Sequence, residues 1–478
     1  MTLIRPVVFF SFAVACALFL WVSPGSGNQE IVAAPHPLPY VSLDMEKPGF
    51  WVQKIESPAS LLLDSQEIEK MNEENLGRED LFLWKVKDLK TDWSREELIA
   101  FFKEDWDGFA GTGKTHYGGN GNALDQRFWD ELRKNTNQDS LREKNPLLFG
   151  LIVRRTDIRF FPTDKPTFVT PLADEFDRSQ HSSISPGSLV GVYTFSKDQR
   201  WAYVQTSFVR GWVNRDALAI AADKTEAVGY QEVKDRLVIT GSDVNVYGDP
   251  ALREKVFDAR MGTSFPLLSL PLDPSHQDSL RNDTGAGDCY VIRVPTREAD
   301  GKLNLTRGYI RKGDDVHHGF LPYTQRNVAE QAFKMLHQPY GWGERGGGRD
   351  CSRFIMDIFA AFGIVMPRNS RIQAKIGTDL GSVEGESIKK KKRVLDRAIP
   401  LASIIRLPGH IMLYLGKHQG RHFVIHSIWG IQKVDASGLV LEKIGKNVVS
   451  DLSLGESGLN GSLFDRITNV RFIGKANQ

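Results

Sequence analysis

The run Asp350–Gly363, DCSRFIMDIFAAFG, leaves the backbone little choice. Phe354, Ile358 and Phe362 recur at i, i+4 and i+8, with Ile355 and Phe359 beside them. That is the apolar stripe of a helix packed on a core. Gly363 supplies a stop, and Pro367 follows it. Asp350 stands at the N-cap position, so Cys351 falls in the first turn. A thiol there meets the positive end of the helix dipole, which favours thiolate over thiol. The glycines at 341, 343 and 346–348 in YGWGERGGGR suit close approach of the backbone to a ligand. A small buried apolar residue is the ordinary alternative for a cysteine. The polar, glycine-rich flank of Cys351 argues instead for chemistry, and a cysteine nucleophile needs a base.

Two histidines follow in suitable settings. IIRLPGHIMLYLG (404–416) places His410 at the head of an apolar run, and RHFVIHSIWG (421–430) places His426 within a second. A short polar turn with a glycine separates them, the pattern of a β-hairpin. His410 and His426 are then expected to face each other across adjacent strands. The chemistry this permits is a thiolate at Cys351, a general base and later acid at His410, and His426 orienting the ring of His410.

These residues resemble the NlpC family of bacterial cell-wall cysteine peptidases, a papain-like group. The matching pieces are YGWG before the cysteine, RDCSRF around it, PRNSRIQ (367–373), PGHIMLYLG and VIHS, all within 321–478. The resemblance implies Cys351 as nucleophile, His410 as base, His426 as the polar third member, and the Cys351 N–H as part of an oxyanion hole. It implies cleavage of the γ-D-glutamyl bond to a diamino acid in peptidoglycan stem peptides. It further implies recognition of a free L-alanine amine by Asp350 and Ser352, with Tyr340, Trp342 and Ser370 lining the groove. The family's usual DCSGF reads DCSRF here, so Arg353 either alters packing or reaches the D-glutamate carboxylate.

The length of 478 residues exceeds one core and points to several domains. Residues 1–27 read as an export signal: Arg5, an apolar stretch, then small residues. This places the protein in the periplasm or cell envelope. Alternatives are lipidation at Cys16 and an uncleaved N-terminal membrane anchor. Residues 28–148 mix helical and irregular signals, with Ser57 as an N-cap and Ser94/Glu97 as a capping box. Their position in the chain resembles that of the N-terminal stabilising domain of some multi-domain relatives. GTGKTH (111–116) lacks phosphate-loop spacing.

Residues 149–222 and 236–320 read as short alternating strands between turns. The endings GWVNRDAL and GYIRKGDD resemble each other and bacterial SH3-like domains, so two barrels are expected. Trp201, Tyr203 and Trp212 fit a core. In relatives the first such domain abuts the active site, and the segment 170–183 is placed to reach it, with Phe176, Asp177 and Gln180 as candidates. Residues 321–478 then form an α+β domain with Thr324 capping its first helix. The fold class expected is multi-domain: an α+β papain-like domain preceded by two all-β SH3-like barrels and a partly helical N-terminal domain.

A net charge of +2 gives no case for nucleic acid. The one basic run, Lys389–Arg393, reads as a solvated loop, or as a contact for anionic wall polymers. If Cys351 stays reactive, Cys289 in the strand-like DCYVIRVP is a buried thiol. No cluster has the sequence spacing of zinc ligands, and the chemistry calls for no metal or organic cofactor. The partners expected are stem peptides or muropeptides, bound by a monomer. A non-catalytic wall-binding protein, or an amidase or acyltransferase on the same fold, are the alternatives.

Overall fold

A seven-stranded sheet carries the C-terminal part of the chain. Its strands run in the order Ile31–Ala33, Gly438–Asp451, Arg421–Asp435, His410–His418, Ser403–Leu407, Asn469–Phe472, Thr378–Ser382. The first pair is parallel and the others are antiparallel. This is a computed structural model, and it describes residues 31–110, 114–171, 175–268, 286–435 and 438–475. The export signal and Cys16 lie outside the described residues, as do positions 111–113 of GTGKTH. Among the described residues no helix is long and apolar enough to cross a membrane.

The helix Cys351–Ala360 lies on this sheet against the strands His410–His418 and Arg421–Asp435. Asp350 caps it, accepting from the Arg353 N–H at 2.9 Å. Phe354, Ile355, Ile358, Phe359 and Phe362 are at most 1% exposed, and burial of each contributes about 1.5–3 kcal/mol. Gly363 ends the helix at φ 74°, where a side chain would be strained. Thr324 caps the preceding helix, Gln325–Lys334, through its Oγ1.

The basic run is not a loop. It lies on a helix, Ile388–Leu395, capped by Ser387. Lys391 on its inner face is buried and donates to the carbonyl of Asp465. A run of lysines is a good helix former once a buried valine and leucine, Val394 and Leu395, anchor one face.

The first β region forms one seven-stranded antiparallel sheet, ordered Leu218–Ile220, Leu148–Ile152, Leu189–Phe195, Trp201–Gln205, Arg210–Asn214, Thr156–Arg159, Gln180–Ile184. Its two end strands do not pair, so the expected closed barrel is instead an open sheet. The end strand Gln180–Ile184 packs against the loop Trp342–Gly347, which covers an edge that closure would otherwise protect. Among the described residues the second β region forms a three-stranded and a four-stranded sheet, linked at Leu267↔Ile292 and not closed into a barrel.

Trp201, Tyr203 and Trp212 are core residues, and their cluster is shared with the N-terminal region. Phe102 of the helix Arg95–Ala110 stacks on Trp212 and tilts against Tyr203, with centroids 5.8 and 4.8 Å apart. Arg210 pairs with Glu104 and Asp105 of the same helix. Ser94 and Glu97 form the capping box foreseen for it. The preceding helix, Ser65–Leu76, is capped by Asp64 with Glu67, not by Ser57. Ser57–Pro58 falls in a turn ahead of a short strand, Leu61–Leu63, so the helix begins only at Ser65.

Candidate active site

The segment before the cysteine is a chain folded back on itself. Arg349 N–H donates to Pro339 O at 3.1 Å, and Gly341 N–H to Arg349 O at 3.2 Å. A Cβ on Gly348 would lie 2.5 Å from Gly341 N, and one on Gly341 would lie 2.8 Å from Gly348 Cα. These two glycines therefore serve the crossing of the chain over itself. The crossing delivers Asp350 to the N-cap and Cys351 to the first turn.

Cys351 is 6% exposed and lines a cleft of about 170 Å³. His410 lines the same cleft. It follows the Pro408–Gly409 turn, where Gly409 has φ 76°, and opens its strand. Its Nε2 lies 2.6 Å from Nδ1 of His426, and His426 Nε2 lies 2.9 Å from Ser450 Oγ. The register Leu413↔Ile425 places the two histidines diagonally rather than directly opposite. Burial holds the His426 imidazole down to about 3. Burial above all, then the repulsion His410 would meet from a protonated His426 and from Arg466, holds it well below the usual histidine range. Both rings are neutral at pH 7. One proton arrangement keeps an acceptor for a thiol: His410 donates from Nε2 to His426, His426 donates from Nε2 to Ser450, and Nδ1 of His410 carries the lone pair. Ser427 Oγ donates to Arg349 O at 2.6 Å, tying the histidine strand to the cysteine's approach.

Asp350 and Ser352 also line the cleft, joined by a residue that the sequence motif contains but does not explain. Arg368 forks onto Asp350, Nη1 to Oδ1 at 3.1 Å and Nη2 to Oδ2 at 2.6 Å, and donates to Ser352 Oγ at 2.7 Å. Tyr340 and Trp342 line the cleft beside Phe176 of the first β domain. Phe176 meets Trp342 at 5.4 Å and Trp429 at 5.1 Å, and Arg178 lies over the Trp342 ring. Gln180 and His181 extend this wall, and Lys114 and His116 reach it from the N-terminal region. Three parts of the chain thus enclose one cleft. Asp177 lies behind it, fully buried against Arg159.

Besides Asp177 and His426, which stands behind His410, two further candidate residues lie outside the cleft lining. Ser370 is buried at the start of a short helix, Ser370–Gln373. Arg353 points beneath the site, with Nε 2.5 Å from Asp357 and Nη1 3.3 Å from Glu344. Its place in the family motif is glycine, and here the guanidinium fills a buried ion network. Glu344 is the centre of that network and carries no motif signal. It is fully buried, and Arg260, Arg353 and Arg368 converge on it. It also accepts from Ser182 and Ser183 of the first β domain. Burial pushes its carboxyl up, but Arg353, Arg368 and Arg260 outweigh this and hold it well below the usual range. Cys289 is buried 3.7 Å from Pro250 O, and no disulfide joins it to Cys351.

Residues 337–450 match the model of the NlpC/P60 family, and residues 166–214 match that of an SH3 domain of SH3b1 type. The chain is therefore a multi-domain protein with an NlpC/P60 peptidase domain and an SH3b domain. A solved NlpC/P60 endopeptidase from Photobacterium damselae subsp. piscicida is similar at 17% identity and a TM-score of 0.73, over 94% of this chain and 100% of that one. It shows the same fold along nearly the whole length. An NlpC/P60 family protein from Bacillus cereus ATCC 10987 aligns at 16% identity and a TM-score of 0.43, over 68% of this chain and 98% of that one. No curated protein matches the chain.

Proposed function

We propose that the protein is a cysteine endopeptidase of the bacterial cell wall that cleaves the γ-D-glutamyl bond to a diamino acid in stem peptides with a free N-terminal L-alanine. The observation that carries this reading is the meeting, at one cleft, of a cysteine at a helix start with the His410–His426–Ser450 chain. Nδ1 of His410 takes the thiol proton, and the thiolate of Cys351 attacks the γ-carbonyl carbon. The Cys351 N–H, at the first turn of its helix, is aimed at the developing oxyanion. His410 returns the proton to the departing α-amine, leaving a thioester. Water, deprotonated by the same ring, then attacks the thioester and releases the dipeptide acid.

The cleft's construction favours a short ligand. Phe176, Gln180 and His181 line the cleft, and on this reading they exclude a glycan beyond the peptide's amino end. Asp350 and Ser352 supply acceptors at the position expected for the free amine. Arg368, the Ser352 hydroxyl and the Arg353 N–H fix the Asp350 carboxylate, with Oδ1 accepting three bonds and Oδ2 one, so Oδ2 is the acceptor this reading assigns to the amine. The SH3b domain, on this reading, sets substrate length as well as binding peptidoglycan.

The test is product analysis by mass spectrometry of L-Ala-γ-D-Glu-diaminopimelate, with the amine free or blocked by N-acetylmuramyl. Release of L-Ala-D-Glu from the free-amine peptide alone, lost in Cys351→Ala, is the expected result. Cleavage of both peptides would move the activity to intact wall. Cleavage of neither, with retention on whole sacculi, would replace the peptidase with a wall-binding protein.

A further inference from the structure

A cluster of side chains of metal-ligating type forms at the outer edge of the large sheet. His36 lies just beyond the strand Ile31–Ala33, which adds in parallel to Gly438–Asp451. Glu46 ends the short turn Leu43–Glu46. His337 follows the helix Gln325–Lys334 with φ 64°, and its N–H donates to Asn447 O at 2.9 Å. One ligand atom from each of these three side chains lies within 4.8 Å of the other two. Oε2 of Glu46 is 3.4 Å from His337 Nε2 and 3.7 Å from His36 Nε2. The imidazoles meet edge-on with centroids 4.9 Å apart.

These separations exceed the roughly 2.7–3.2 Å of a good hydrogen bond. They come close to the spacing of two ligands on one tetrahedral ion, about 3.3 Å when each bond is about 2.0–2.1 Å long. Two imidazoles and a carboxylate are the donor set of a three-ligand zinc site, with the fourth position left to water. A cavity of about 240 Å³, lined by His36, Glu46 and Val448 among others, gives that water room. The Glu46 side chain is 10% exposed and forms the anchored wall, whereas His36 and His337 are 45% and 38% exposed and reachable from solvent. Lys443 and Lys446 line the same cavity and oppose a cation. Lys443 is exposed and paired with Glu175, and Lys446 is half-buried, so water and salt screen part of both charges.

We propose that His36, Glu46 and His337 bind one divalent transition-metal ion of zinc's class. The ion staples the segment around residues 36–46 to the loop that leads into the cleft, since His337 precedes the cleft residue Tyr340 by three positions. The site stands apart from the peptidase reading and does not depend on it.

The test is titration of the untagged full chain with Co²⁺ and Zn²⁺ alone, in wild type and in Cys351→Ala, because a thiol beside His410 is a competing metal site. The expected result is one equivalent of Co²⁺ in both proteins, with visible tetrahedral bands and no thiolate charge-transfer band. His36→Ala, His337→Ala and Glu46→Gln each weaken binding at least tenfold. Zn²⁺ raises the thermal midpoint of wild type but not of His337→Ala. Circular dichroism checks that all three variants are folded, the nearly buried Glu46→Gln above all. Absence of Co²⁺ binding overturns the proposal, as does binding that survives in the His36→Ala/His337→Ala double variant or disappears in Cys351→Ala.

Discussion

Nε2 of His410 and Nδ1 of His426 lie 2.6 Å apart, and both rings are buried. This bond occupies one nitrogen of the base and leaves the other for the thiol. Replacing His410 with Ala is expected to lower kcat by about 10²–10⁴-fold, the range of a positioned acid–base group. His426→Ala is expected to lose less, and His426→Asn to recover part of the loss, since an amide oxygen still accepts from Nε2. Steady-state kinetics on one stem peptide ranks the three variants.

The same pair makes stability pH-dependent. His426 titrates near 3 in the fold because burial disfavours its charged form, against about 6.5 in the unfolded chain. The unfolded state therefore takes up protons first as pH falls, and stability is lost below about 6.5. Between about pH 6.5 and 4.5 each such histidine removes up to about 2.7 kcal/mol. His181, also held near 3 by burial, acts in the same direction. Urea denaturation at pH 7.5 and 4.5 is expected to show the drop, with a smaller one in His426→Asn.

Glu344 binds three arginines from two domains, so Glu344→Gln leaves buried cations without their counter-charge. A loss of about 3–5 kcal/mol is expected. Because Ser182 and Ser183 also depend on Glu344, the cleft wall formed by the first β domain is expected to loosen. Denaturant unfolding and limited proteolysis near residues 175–184 measure the two effects.

Asp350→Asn keeps an N-cap oxygen but removes the charge facing the cleft. The ratio of kcat/KM for free-amine over N-acetylated peptide is expected to fall about 10–100-fold, the worth of a charge-assisted hydrogen bond. An unchanged ratio would remove Asp350 from amine recognition.

The elements of the site were readable where the signal is local. The stripe from Phe354 to Phe362, the Asp350 cap and the two apolar runs around His410 and His426 each declare a helix or strand from their own neighbours. For Arg353 the sequence left packing and substrate contact as alternatives, and the packing one is seen, because its partners, Asp357 and Glu344, are brought to it by tertiary structure. Glu344 was invisible: an acid in a glycine-rich loop has no period, and its φ of 69° has no sequence mark outside glycine and asparagine. His36, Glu46 and His337 escape any spacing rule, because the fold and not the chain brings the third ligand to the first two. The open edge of the first β sheet likewise depends on what covers it, the loop around Gly343.

The most direct test of the account is acid-quenched intact-mass spectrometry of the enzyme mixed for milliseconds with L-Ala-γ-D-Glu-diaminopimelate. The expected result is a transient adduct with the mass of an L-Ala-D-Glu acyl group, mapped to the peptide containing Cys351 and absent in Cys351→Ala. Turnover without an adduct, undiminished in Cys351→Ala, would contradict it.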